Sequence, residues 1–226
     1  MGLYTILVAL YVGLLLFVRP APQSFRDSKI SIKENFFAIK GSLFIGVLLL
    51  SIHLYTGSFE LIEADDSGVY PYALYTIGNE SFRIYQFFTQ MFVHFNLIHL
   101  IGNVVMIGML SAYERRVGLK RYLIVFFLSG LVSGLSILFY TEDIASMGAS
   151  GAVFGLAAAF FTDDKSLSLK DWIYAIIGFV LLASLLTLKD WYEIQKIENI
   201  NFSIDYIAHA LGALAAIVYT RLTRVR

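Results

Sequence analysis

The chain has 226 residues, 58% of them hydrophobic and only 15% charged, with a mean hydropathy of +0.72. A soluble globular chain carries roughly a quarter charged residues, so the composition excludes an ordinary water-soluble domain. Basic and acidic side chains balance at 17 each, no nucleic-acid partner is expected, and the absence of cysteine excludes disulfides, thiolate nucleophiles and cysteine-ligated metals.

Long uncharged runs dominate the chain. The first, Met1–Val18, lacks a basic leader, and Val18-Arg19-Pro20 is a poor cleavage site, so residues 1–18 are read as a retained transmembrane helix. Residues 19–40 form a basic linker. The runs Gly41–Phe59, Gln86–Tyr113, Tyr122–Thr141, Ile144–Thr162, Trp172–Leu188 and Tyr206–Thr220 follow. Most of them reach the about 17–25 residues that a helix needs to cross a hydrocarbon core. The predicted fold class is therefore an all-α polytopic membrane protein with about seven spans and no separate soluble domain. The connection Gly57–Tyr85 is too long and too apolar for a simple loop; its Phe, Leu, Ile and Tyr residues suggest a segment lying in the interface.

Loop charges orient the chain. The linker carries Arg19, Arg26, Lys29, Lys33 and Lys40, whereas Gly57–Tyr85 carries Glu60, Glu63, Asp65, Asp66 and Glu80 against Arg83 alone. Residues 114–121 are strongly basic, the next loop offers only Glu142 and Asp143, residues 189–205 are net acidic, and the tail ends in Arg221, Arg224 and Arg226. Basic loops stay cytoplasmic, which places the N-terminus outside and the C-terminus inside. Ser150, His209, His94 and His99 then all fall toward the outer side.

Ionisable and polar groups at membrane depth are costly and default to a functional reading. His99 and Asn103 stand four apart on one helical face, where two donors can clamp a developing oxyanion; alternatively they bond to each other or across helices. His94 lies on a partly different face and reads as a structural hydrogen-bonder. His209, among small residues that include Gly212 and Ala216, is placed to touch a neighbouring helix and as a neutral imidazole could take a proton from a serine, although a lone helix histidine is more often structural. Ser150, framed by Gly148 and Gly151, reads when taken singly first as close helix packing and second as a nucleophile. His53 needs no role beyond that of an interfacial polar residue.

Taken together, His94-Phe-Asn-Leu-Ile-His99-Leu-Ile-Gly-Asn103, Gly148-Ala-Ser150-Gly151 two helices later, Ala208-His209-x-x-Gly212 in the last helix and Glu114-Arg115-Arg116-x-Gly118 resemble the rhomboid family of intramembrane serine proteases. The resemblance covers residues 41–226 and implies a six-helix catalytic core, preceded here by one extra helix in a 1+6 layout. It implies Ser150 as nucleophile and His209 as general base, with Phe154 stacked beneath the imidazole where many relatives have Tyr. Asn103, His99 and the Ser150 backbone N–H would hold the oxyanion. Gly148, Gly151, Gly212 and His94 would support the site, and Glu114 and Arg116 would tie the cytoplasmic-side loop as a structural pair. No metal or organic cofactor is implied.

The resemblance further implies transmembrane segments of other proteins as substrates, which enter from the lipid bilayer past a gate formed by Trp172–Leu188 and Lys189–Ser203. The family's Trp-Arg pair reads Tyr85-Gln86 here, and the second glycine of the last helix reads Ala216. The lack of an Arg- and Ser-rich transit sequence points to a bacterial inner membrane rather than a mitochondrial one. Two rivals remain: a catalytically silent rhomboid-like protein that binds client helices, and a small transporter or channel, which no acidic residue within a core helix supports.

Overall fold

The computed structural model describes residues 2–17, 30–56, 68–76, 82–140, 144–164, 166–194 and 205–223, with the backbone alone for 182–194. The chain forms α1 (Gly2–Phe17), α2 (Ile32–Ala38), α3 (Lys40–Thr56), β1 (Leu74–Thr76), α4 (Gln86–Thr89), α5 (Leu97–Met109), α6 (Ser111–Val117), α7 (Leu119–Ser133), β2 (Ile144–Ser146), α8 (Ser150–Thr162), α9 (Leu169–Ile194) and α10 (Tyr206–Leu222). A 3-10 turn, Gln90–Phe92, follows α4, and another, Gly134–Phe139, closes α7. The strands pair antiparallel, with Leu74 opposite Ser146 and Thr76 opposite Ile144.

Among the described residues, Leu97–Val117 and Leu119–Phe139 are long and apolar enough to cross a membrane. The bent pair Ile32–Ala38 plus Lys40–Thr56, kinked by 73°, passes the same test together. Helices α1, α8 and α10 are apolar but shorter. Helix α8 is shorter than the run Ile144–Thr162 because that run spends its first residues on β2 and a turn, and the helix begins only at Ser150. The chain is an integral membrane protein of mostly helical structure.

Three expectations change. Gln86–Tyr113 is not one helix: Val93 is extended (φ −98, ψ 147), and Asn96 caps a fresh helix by accepting the His99 N–H at 2.8 Å. A side chain that satisfies an orphan N–H stabilises such a new start. The basic linker contains α2, opened by a capping box in which Ser31 accepts the Glu34 N–H and Glu34 accepts the Ser31 N–H. Finally, α9 runs past Leu188 to Ile194. Residues 195–204, the rest of the expected gate loop, lie outside the described residues, as do 57–67 and 77–81 of the expected interfacial segment.

Helices α7, α8 and α10 pack at backbone distance because their contact positions carry almost no side chain. A Cβ on Gly155 would overlap Ser129, and one on Gly212 would overlap the Gly151 carbonyl. Small residues that let backbones approach are the usual means of helix association where lipid tails are as apolar as leucine.

One end of the bundle is knitted by α6. Glu114, only 1% exposed, accepts the N–H groups of Gly41 and Ser42 at 2.8 Å each, together with Ser42 Oγ at 2.7 Å, and so caps the start of α3. Arg115 donates to Asn35 Oδ1 at 2.8 and 3.1 Å, and Asn35 Nδ2 donates to the carbonyls of Leu15 and Leu16 at the end of α1. Arg116 donates to the carbonyls of Ala159 and Phe160 at the end of α8. Each charge has the sign that the helix end it serves prefers. Nearby, Arg121 bridges to Asp163, and its Nη1 reaches Thr223 Oγ1 at 3.0 Å.

The expected Glu114–Arg116 pair is therefore corrected. The two side chains stand two apart on a helix, do not face each other, and serve α3 and α8 separately. Helix α1 is docked by Tyr11, whose hydroxyl donates to the Ser42 carbonyl at 2.7 Å, and by Tyr4, whose ring lies 6.1 Å from that of His53. His53 is fully buried there rather than interfacial, because α1 covers the side of α3 on which it lies.

Candidate active site

Ser150 is the first residue of α8, and the two residues before it are tightly held. Gly148 has φ +115, a conformation that glycine adopts without strain. Its N–H donates to the Gln90 carbonyl at 2.8 Å. A Cβ at this position would lie 2.5 Å from His99 Cε1 and 2.8 Å from His99 Nε2, so the His99 ring packs directly on the turn. The Ala149 N–H donates to His94 Nε2 at 3.3 Å, which fixes that nitrogen as the unprotonated one. The rings of His94 and His99 meet edge to face at 5.1 Å.

The break before α5 is what makes this possible. His94 precedes the helix, between extended Val93 and Asn96, and His99 is on its first turn, so the two rings converge on one loop although their spacing would separate them on a continuous helix. Asn103, buried on α5, donates one amide hydrogen to the His99 carbonyl at 2.9 Å, and its second hydrogen remains for another acceptor. The bond that was the simpler reading of this pair thus exists, but it runs to the His99 backbone, while the His99 ring packs on Gly148.

On the other wall, the ring of His209 stacks on Phe154 with centroids 4.1 Å apart and planes 8° from parallel. Phe154 stands four residues after Ser150, on the same face of α8. The close approach is set by glycine: a Cβ on Gly151 would overlap Ser133 and lie 3.6 Å from the Ala208 carbonyl, while Gly212 meets the Gly151 carbonyl. Ser150, Phe154, His99 and His209 are all half-buried, whereas Gly148, Gly151 and Gly212 are buried. The structure thus draws Ser150, Phe154, His209, His94, His99, Gly148, Gly151 and Gly212 together, with Asn103 one turn below His99. Glu114 and Arg116 lie at the far end of the bundle, engaged with helix termini.

Several supporting residues escaped the sequence. Gln90 holds the Gly148 N–H by its carbonyl, and its side chain donates to the Gly130 carbonyl at 3.2 Å. Ser129 and Ser133 form the small wall against Gly155 and Gly151. A backbone carbonyl leaves no residue-type signal, and two serines in an apolar helix carry a weak one. Among the described residues, no group of three His, Cys, Asp or Glu side chains is placed to hold a metal ion.

Comparison with known proteins adds two findings. Residues 81–226 match the family described as Rhomboid domain. Over 83 residues the chain is 34% identical to Rhomboid-like protease 3 of Toxoplasma gondii, which covers 36% of this chain and 32% of that protein. The matched region thus spans about a third of the length of that curated relative.

Proposed function

The chain belongs to the rhomboid family, and on that premise we propose that it is an intramembrane serine endopeptidase that cleaves transmembrane segments of other proteins. The observation that carries this reading is the His209 ring laid flat on Phe154 at 4.1 Å, one turn beyond Ser150 and on the same face. An imidazole so clamped is oriented before substrate arrives, which is what a base without a partner carboxylate requires.

In the proposed mechanism, His209 takes the Ser150 hydroxyl proton as Oγ attacks the scissile carbonyl carbon. The negative charge that develops on the carbonyl oxygen is held by the Ser150 N–H, the free amide hydrogen of Asn103 and the His99 ring. The C–N bond breaks, the leaving amine takes the proton from His209, and an acyl ester remains on Ser150. Water, deprotonated by His209, then releases the acid and restores the serine. Ser146, Gly148 and Ala149 of the chain before α8 are buried within the protein, one of the settings in which irregular backbone at membrane depth is tolerated.

The proposal includes seven spans in a 1+6 layout. They are α1, α3, α5 with α6, α7 with its 3-10 end, α8, α9 and α10, with the basic end of the bundle cytoplasmic and the N-terminus outside. Residues 41–226 form the catalytic core. Substrate helices enter from the bilayer, and no cofactor takes part.

Treating the detergent-purified protein with a fluorophosphonate tests the reading. Wild type is expected to label covalently and Ser150→Ala is not. A wild type that stays unlabelled while folded would assign the chain to the catalytically silent members, and a Ser150→Ala variant that labels equally would remove Ser150 as the nucleophile. The Phe154 stack gives a second expectation. Phe154→Leu is expected to lower kcat by about 100-fold, the cost of a misplacement of about 1 Å, and Phe154→Tyr to retain most activity. Wild-type kcat in Phe154→Leu would remove the stack from the mechanism.

A further inference from the structure

The proposed nucleophile and base are carried by separate segments, and one carboxylate touches both. Asp205 is the N-cap of α10, four residues before His209, and its Oδ1 accepts the Ala208 N–H at 2.8 Å. The same oxygen accepts the Tyr140 hydroxyl at 2.8 Å. Oδ2 accepts Ser136 Oγ at 2.6 Å and Ser146 Oγ at 3.4 Å. Ser146 is the last residue of β2 and stands four residues before Ser150; Ser136 and Tyr140 belong to the 3-10 end of α7 and the residue that follows it.

Capping alone does not require this arrangement. A serine, threonine or asparagine would satisfy the first turn of α10. Four donors on two oxygens fill about all the lone-pair sites that a carboxylate offers, and neither an amide nor a hydroxyl can accept them all. Three of the four donors come from the two segments that deliver Ser150 and close α7. A carboxylate at this helix start is also favoured by the dipole. Its bonds fasten the first turn of α10 to the strand that leads into the Ser150 turn, and the Gly151–Gly212 contact lies beyond both.

We propose that Asp205 is a positioning residue that registers His209 against Ser150 by locking the start of α10 to the end of β2 and the end of α7. The inference rests on the protease reading. Asp205 acts on neither substrate nor the reacting atoms; it sets the separation of the two groups that do. Loosening it therefore slows acylation without altering how substrate is held.

The test uses the full-length protein in detergent, with the wild type, Asp205→Ala, Asp205→Asn and the double variant Ser146→Ala/Tyr140→Phe. The measurements are the fluorophosphonate labelling rate, kcat and KM on a transmembrane substrate, and the melting temperature. Asp205→Ala is expected to lower both the labelling rate and kcat by about 100-fold, with KM changed by no more than about twofold. Asp205→Asn, which keeps the cap but not the full set of acceptors, is expected to fall between it and the wild type. The double variant leaves the cap on Ala208 and the Ser136 bond intact and is expected to lose about 10-fold in kcat, because the tie to β2 and one of the two ties to the end of α7 are cut. Wild-type labelling in a folded Asp205→Ala variant overturns the proposal, as does a defect confined to KM. Should Asp205→Ala fail to fold, an unchanged kcat in the double variant overturns it. A wild type that does not label at all sinks the protease reading instead, so the two failures are distinguishable.

Discussion

His209→Ala is expected to lower turnover of a transmembrane substrate by a factor on the order of 10⁶, the scale of removing the base from a serine nucleophile. The fold is expected to survive. The grip of α10 on α8 comes from Gly212 against the Gly151 carbonyl, from buried Ala213 and Ala216, and from the Asp205 cap, none of which the substitution touches. Truncating a half-buried imidazole leaves one face of Phe154 uncovered, a loss of about 1 kcal/mol, the ordinary cost of a point substitution. Single-turnover cleavage and thermal unfolding, measured side by side, separate the two effects. Residues that act as a unit are not additive, so the double variant with Ser150→Ala should be no slower than either single variant. Activity within tenfold of wild type in His209→Ala would exclude His209 as the base.

The second large effect concerns stability rather than chemistry. Glu114→Ala is expected to destabilise the protein by about 3–5 kcal/mol, because three donors to a buried carboxylate lose their acceptor together. Two of them are backbone N–H groups at the start of α3, at 2.8 Å each, and neither has an intrahelical alternative. The neighbourhood cannot close over the gap through Gly41 either, since a Cβ there would already lie 2.6 Å from Leu119 Cδ1. Glu114→Gln should recover little, because its amide places donors where donors already converge. The expected reading is a melting temperature lower by roughly 10 °C in detergent, with kcat at low temperature near wild type because Ser150 lies at the opposite end of the bundle. A Tm within 2 °C of wild type, a margin of roughly 1 kcal/mol for a chain of this size, would show that the carboxylate is dispensable.

Much of the architecture was legible because lipid imposes a simple rule. Backbone polar groups must be paired within a helix, so apolar runs announce spans. What escaped were the places where helices stop. His94, His99 and Asn103 read as points on one continuous helix, but Asn96 turns that helix into two pieces and brings the two imidazoles onto the Gly148 turn. The cue was present as an asparagine three residues before His99, a spacing that makes a cap only if the chain ahead is extended. Ser150 and His209 stood out by residue type and spacing. Asp205 did not, because its value comes from Ser136, Tyr140 and Ser146, which reach it from as far as 69 residues away in the chain. Spacing cannot register a convergence of that kind. The Glu114–Arg116 pairing failed for the converse reason: opposite charges two apart look like partners in one dimension and diverge on a helix.

The run Glu114-Arg115-Arg116 serves three different helix ends with three successive residues: the start of α3, the end of α1 through Asn35, and the end of α8. Each residue along a helix advances the side-chain direction by about 100°, so the three partners are addressed in order around the barrel of α6. This makes the segment intolerant of length change in a way that no single substitution reveals. Deleting one residue ahead of Glu114 would present the Arg115 guanidinium to the N–H groups of Gly41 and Ser42, Arg116 to Asn35 and the apolar Val117 to the open carbonyls of α8. Composition would be almost unchanged, yet two of the three helix ends would lose the charge that serves them. With single residues, Leu110 and Gly118, joining α6 to its neighbours, no adjacent loop is there to take up a change of length.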